Sequence, residues 1–205
     1  MDDLARILTA EAEAPSGAPA TRLRVLVGMT GASGAAYALD FLRRCPGEKY
    51  LVVSKWARAV LQAELGLREE DLDPHVKARF SDGDLAAPLS SGSNALDATV
   101  ILPCSSSTAA KIAAGIGDTL ITRAAQVALK ERRRLVLAVR ETPLSTIHLE
   151  ALAKLSREGA IVFPLSPPWY GRPTTIEDLV SATTGKLLRL LGVAVPGGWR
   201  EEDLE

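Results

Sequence analysis

The sequence predicts an α/β fold: a doubly wound, three-layer parallel sheet of the Rossmann or flavodoxin kind, in a single domain. Apolar, β-branched runs recur along the chain without the alternation of half-exposed strands, as strands buried on both faces require. Segments of helical period separate them, and right-handed crossovers of this sort lay helices on both faces of one sheet. The chain has 205 residues, 47% hydrophobic and 24% charged, enough for one core, and it shows no internal repeat.

Taken in order, residues 23–28 (LRVLVG) form a first buried strand. A helix over 32–44 follows and is stopped by Cys45-Pro46-Gly47. Residues 50–53 make the second strand, and 55–65 a helix with Trp56, Val60 and Leu61 on one side. The acidic stretch 66–93 has no clear period. A third strand over 98–102 halts at Pro103, and a serine-rich turn, 104–107, leads into helices over 108–114 and 121–130. A fourth strand at 135–139, a helix over 145–157, a strand at 160–163, the turn SPPWYGRP and a helix over 176–191 complete the fold.

Composition narrows the function. A formal net charge of −1 gives no basic face for nucleic acid. No apolar run approaches the roughly 18–20 residues of a membrane span, so no membrane partner is expected. The start, MDDLARILTA, is acidic and lacks the pattern of a signal peptide. Residues 1–21 read as a flexible extension, with a short helix over 3–12, and 22–205 as the domain. Cys45 and Cys104 stand far apart, and two histidines supply no metal cluster, which points to a reduced, metal-free, cytoplasmic protein.

In a sheet of this kind ligands gather beyond the carboxyl ends of the strands. Four segments follow strands there: GMTGASG, SKWAR, PCSSST and RETP. The first differs from the dinucleotide fingerprint, because Met29 and Thr30 both separate Gly28 from Gly31, and it lacks the ending of a nucleotide P-loop. At the second strand end stand Ser54 and Lys55 in place of the acid that holds a dinucleotide ribose. Amides at a helix N-terminus with Ser33 beside them suit an anion; the alternative is that the glycines serve only a tight turn. Ser105 to Thr108 offer the same two choices, a phosphate cradle or a plain helix cap. Arg123 and Lys130 are seven apart and share a helix face, whereas Arg132 to Arg134 read as a solvated basic run. Arg140 and Glu141 come straight off an apolar strand, and a buried or half-buried charge there needs a partner.

Together these segments resemble the UbiX-type flavin prenyltransferases. The resemblance rests on GMTGASGAAYALDFLRR, LVVSKWARAVLQAE, SSGSNALDATVILPCSSST, GDTLITRAAQVALKERRRLVLAVRETPL and PPWYGRP in that order, and runs from about Leu23 to about Val195. It implies a homo-oligomer, commonly a dodecamer, that binds reduced FMN. It further implies transfer of a dimethylallyl group from dimethylallyl monophosphate to N5 and C6 of the flavin, without a metal. The product would serve a UbiD-type decarboxylase. By position the resemblance implies FMN contacts at Gly31, Ala32, Ser33, Ser54, Ser105, Ser106, Ser107, Thr108 and Arg140. It implies prenyl-phosphate contacts at Tyr170 and Lys186, and charged active-site roles for Glu64, Arg123, Lys130 and Glu141, with Ser33 assisting proton handling. Trp199 or the flavin ring would stabilise an allylic cation. Relatives often carry arginine where this chain has Lys186, which keeps the charge and loses the bidentate fork. Two alternatives share the flavin: a cysteine decarboxylase of the phosphopantothenoylcysteine type, and a non-catalytic flavin-binding subunit. The first expects PASANT and a catalytic histidine; this chain has PCSSST, and His75 and His148 read as surface residues.

Overall fold

The computed structural model describes residues 23–196. The proposed extension 1–21, with its short helix, lies outside the described residues. Six strands make one sheet: β1 Arg24–Met29, β2 Glu48–Val53, β3 Ala78–Ser81, β4 Ala98–Cys104, β5 Arg134–Val139 and β6 Ile161–Pro164. Their order is β3-β2-β1-β4-β5-β6, and every neighbouring pair is parallel. This is the Rossmann order, with its switch point between β1 and β4.

Six helices cover the two faces: α1 Ala35–Arg44, α2 Lys55–Leu65, α3 Ser106–Ala113, α4 Leu120–Lys130, α5 Thr146–Arg157 and α6 Ile176–Leu190. Alternation along each strand sorts the side chains. Val25, Val27 and Met29 pack with Phe41 and Leu42 of α1, Leu61 of α2 and Leu187 and Leu188 of α6. Leu26, on the opposite face, packs with Ile112 of α3, Ile121 and Ala125 of α4 and Leu155 of α5. The uninterrupted apolar strands are thus explained by two cores, one on each side of the sheet.

Four expectations are corrected. The first helix starts at Ala35, not 32, because Gly34 adopts φ 117° and Ala32 closes a turn onto the Thr30 carbonyl. Residues 66–93 hold an edge strand, β3, between short 3₁₀ turns at Glu69–His75 and Pro88–Ser90. Four residues are too few to show a period, and tertiary pairing with β2 defines them. Pro103 does not end the third strand in sequence: β4 runs to Cys104, because the Pro103 carbonyl still accepts from Thr30. Of the residues expected on one side of the second helix, Leu61 is buried but Trp56 is 68% exposed.

Gly47 closes the turn between α1 and β2 at φ 82°, where a Cβ would lie 2.2 Å from the Leu23 carbonyl oxygen. Gly47→Ala therefore combines left-handed strain with a backbone collision. We expect it to lower unfolding stability by about 2–3 kcal/mol. Denaturant titration should show a lower midpoint at unchanged slope, and an unchanged midpoint would contradict this.

Candidate active site

The crevice outside the carboxyl ends of β1 and β4 collects the turns that follow β1, β2, β4 and β5. The first turn is shaped by what glycine leaves out. A Cβ on Gly31 would stand 2.5 Å from the Trp56 Cβ, and one on Gly28 would press on Ile121 at 3.2 Å. The turn thus lies directly against α2, while Gly31 and Ser33 face solvent and Ala32 is buried.

The first helix N-terminus is not an open anion cradle. Glu64, from the last turn of α2, accepts from the Gly34 amide at 3.0 Å and the Ala35 amide at 2.8 Å. A carboxylate there satisfies the orphan donors and the helix dipole. Its negative charge repels a second anion at the same place. No local sequence signal foretold this, since Glu64 lies 30 residues from Gly34.

The third turn keeps its donors. Ser105 caps α3 by accepting from the Thr108 amide at 3.2 Å, and its hydroxyl meets that of Thr108 at 2.9 Å. The amides of Ser106 and Ser107 in the first turn of α3 have no intrahelical acceptor. They point, with the dipole, to the place where an anion is best held. Ser54 plays the analogous cap at α2, accepting from the Ala57 amide at 3.2 Å.

The fourth turn joins the third. The Ser106 hydroxyl donates to Glu141 Oε2 at 2.7 Å, and the Thr142 amide donates to its Oε1 at 3.1 Å. These bonds, with His148 and Arg140 nearby, hold the Glu141 carboxyl below the usual carboxylate range. The Arg140 amide donates to the Cys104 carbonyl at 3.1 Å, so the RETP turn is bound to the strand beside it. Both Arg140 and Glu141 are exposed, which corrects the expectation of a buried charge.

Other candidates lie apart. Arg123 and Lys130 do share the exposed face of α4, about 10 Å apart along its axis. The start of α4 is tied to Asp82, after β3, by the Ile121 amide at 3.1 Å. Its end carries Lys130, paired with Glu131 beside Gly92, in the loop that enters β4 at the amino edge. Within one chain Lys130 does not meet Arg140. Tyr170 is 60% exposed between β6 and α6. Lys186 is exposed on α6, where its neighbours Thr184 and Gly185 contact Asp40 and Arg44 in the later part of α1, away from the Gly34 turn. Trp199 lies outside the described residues. His75 is partly buried, and burial with Arg43 and Lys49 nearby pushes its pKa down; His148 is partly exposed in the first turn of α5. Among the described residues no group of three or more His, Cys, Asp or Glu is placed to hold a metal ion. No helix among them is long and apolar enough to cross a membrane.

Residues 13–188 match the Flavoprotein family model. Flavin prenyltransferase UbiX of Thermoplasma acidophilum is 48% identical over 172 residues, covering 83% of this chain and 96% of that protein. The chain belongs to the UbiX-like flavin prenyltransferase family. Flavin prenyltransferase UbiX of Deinococcus radiodurans is 42% identical over 196 residues, 93% of this chain and 98% of its own. Among solved structures, a UbiX family member in complex with FMN and dimethylallyl pyrophosphate superposes with a TM-score of 0.83 at 41% identity, covering 87% of this chain and all of that one. A dodecameric, FMN-dependent UbiX-like decarboxylase from Escherichia coli O157:H7 does so with 0.83 at 39% identity, covering 86% and 99%. An FMN-dependent cysteine decarboxylase of thioviridamide biosynthesis shares the fold alone, at 18% identity and a TM-score of 0.55.

Proposed function

We propose that this protein is a flavin prenyltransferase that joins a dimethylallyl group from dimethylallyl monophosphate to N5 and C6 of reduced FMN. The observation that carries this is the junction of the third and fourth turns, where the Ser106 hydroxyl holds an ionised Glu141 beside the open amides of α3. It joins an anion site and a proton-transfer group in a chain of the prenyltransferase family.

The residues present fit FMN. With Glu64 on the first helix N-terminus, the phosphate of FMN belongs at the α3 turn, held by Ser105, Ser106, Ser107 and Thr108 and countered by Arg140. The solvent-facing turn of Gly31, Ala32 and Ser33, with Ser54 at the next strand end, would hold the isoalloxazine ring. Bound FMN supplies the nucleophilic N5 and C6. Breaking the allyl–phosphate bond leaves negative charge on the departing phosphate, which Tyr170, Lys186, Arg123 and Lys130 would stabilise. Glu141, ionised and exposed at the α3 turn, would be the group that accepts a proton from the flavin. Ser33, in the flavin turn, would assist proton handling, and Glu64 holds its charged active-site place as the cap of the first helix.

Lys130 reaches such a site only across a subunit boundary, given its place at the opposite edge of the sheet. We assign it to the site of a neighbouring copy in a homo-oligomer, as the dodecameric relative supports. The recipient of the product is a UbiD-type decarboxylase. A cytoplasmic location fits the two cysteines, both free and buried. The domain extends through 22–205, with 1–21 as an extension.

Anaerobic incubation with reduced FMN and dimethylallyl monophosphate tests the activity. We expect a flavin product heavier by one prenyl unit and one equivalent of released phosphate. A parallel incubation with the diphosphate distinguishes the donors. FMN bound without any adduct from either donor would leave only a flavin-binding protein.

A further inference from the structure

At the switch point, β1 and β4 stop pairing before their turns begin. The last pair in register is Gly28 with Ile101, and the ladder from β4 to β5 shifts between Ile101 and Cys104. Beyond that point Thr30 carries the junction, with its backbone and its side chain both bonded to the end of β4. Thr30 is 97% buried by its 3% residual exposure. Its amide donates to the Pro103 carbonyl at 3.1 Å, and its hydroxyl donates to the same oxygen at 2.9 Å. The hydroxyl also accepts from the Ser105 amide at 2.7 Å. The Ser105 amide is the backbone group next to the hydroxyl that caps α3.

We propose that Thr30 is a positioning residue for flavin binding: its hydroxyl clasps the GMTGASG turn to the PCSSST turn and sets their separation to the length of one flavin mononucleotide. This rests on the functional reading above. The chemistry demands a short β-branched hydroxyl. Threonine has few χ1 states, so one geometry serves both bonds, and its methyl fills the buried site. Valine keeps the shape and removes both side-chain bonds, which leaves the part-buried Ser105 amide without its acceptor. Serine restores both bonds. The first turn touches the flavin ring and the third its phosphate, so a slip between them misaligns one whenever the other is seated.

The test uses the full-length protein with three variants, Thr30→Val, Thr30→Ser and Thr30→Ala, and three readouts. FMN affinity is measured by flavin fluorescence, the apo protein's melting by calorimetry, and protection of the Ser105 amide by hydrogen exchange. We expect Thr30→Val to weaken FMN binding about tenfold or more and to speed exchange at Ser105 by a similar factor. Thr30→Ser should stay within about twofold of wild type in both. Thr30→Ala, which removes the hydroxyl and adds no methyl, repeats the valine result if that variant does not fold. Thr30→Val with wild-type FMN affinity and a lowered melting temperature would overturn the proposal, because Thr30 would then serve only the fold. Loss of affinity in Thr30→Ser as large as in Thr30→Val would overturn it too. If wild type binds no FMN, the functional reading fails. The Ser105 exchange then decides the clasp: unchanged protection in Thr30→Val and Thr30→Ala overturns it, and loss restored by serine upholds it as a contact between the turns.

Discussion

Glu141→Gln slows formation of the prenylated flavin by about 10²- to 10⁴-fold, the range for loss of one general acid–base group, while FMN affinity stays near wild type. Glutamine keeps one carbonyl to accept from the Ser106 hydroxyl, now at 2.7 Å, and loses the second oxygen, with its bond from the Thr142 amide, together with the proton acceptor. The sign of the pH dependence follows from the environment. The Ser106 hydroxyl first, then the Thr142 amide, hold the carboxyl below its usual range. Glu141 is therefore ionised at neutral pH and begins the reaction as a base. In wild type the single-turnover rate should fall as the pH drops through this depressed pKa, and in Glu141→Gln that acidic limb should vanish. Equal rates in the two proteins would remove Glu141 from the mechanism.

Lys130→Ala loses about 10²- to 10³-fold in adduct formation, because a cation that neutralises a leaving phosphate is among the larger electrostatic contributions to such a step. Its position at the amino edge makes a sharper expectation possible. Co-expressed in one assembly, Lys130→Ala and Glu141→Gln subunits should regain activity at about a quarter of the sites, those that draw an intact Glu141 from a Lys130→Ala chain and an intact Lys130 from a Glu141→Gln chain. Separately purified and then mixed without subunit exchange, they should regain none. A mixed assembly as inactive as its parents would mean that both residues serve the same chain's site. A fully active Lys130→Ala protein would mean that Lys130 has no part in the transfer.

Much of this fold was legible in the residues. The strand runs near 23–28, 98–102 and 135–139 are apolar on both faces because the sheet is covered on both faces, and the prediction of a doubly wound sheet followed from that alone. Helix starts were close for the same kind of reason: Ser54, Ser105 and Ser145 are local caps, each bonding an amide three residues on. Errors came where long-range pairing outweighs local preference. Strand β3 has four residues and gains its identity from β2, and β4 passes through Pro103 because a partner from β1 uses its carbonyl. Trp56 fits the helical apolar face by spacing, yet the Gly31 turn meets its Cβ and the ring stays outside.

The site divides in the same way. By itself the sequence determined the class of fold, the four strand-end turns in which ligand chemistry gathers, and the hydroxyls and charges each turn carries. These are local matters of period, punctuation and residue type. Only the tertiary structure decided the switch point between β1 and β4, the closure of the first helix by Glu64, the clasp of Thr30 on Ser105 and the bond from Ser106 to Glu141. Only it set Lys130 at the far edge of the sheet. The Glu64, Thr30 and Ser106 contacts each join residues tens of positions apart through a directed hydrogen bond, and no local pattern encodes which distant donor will meet which acceptor once the two cores have closed.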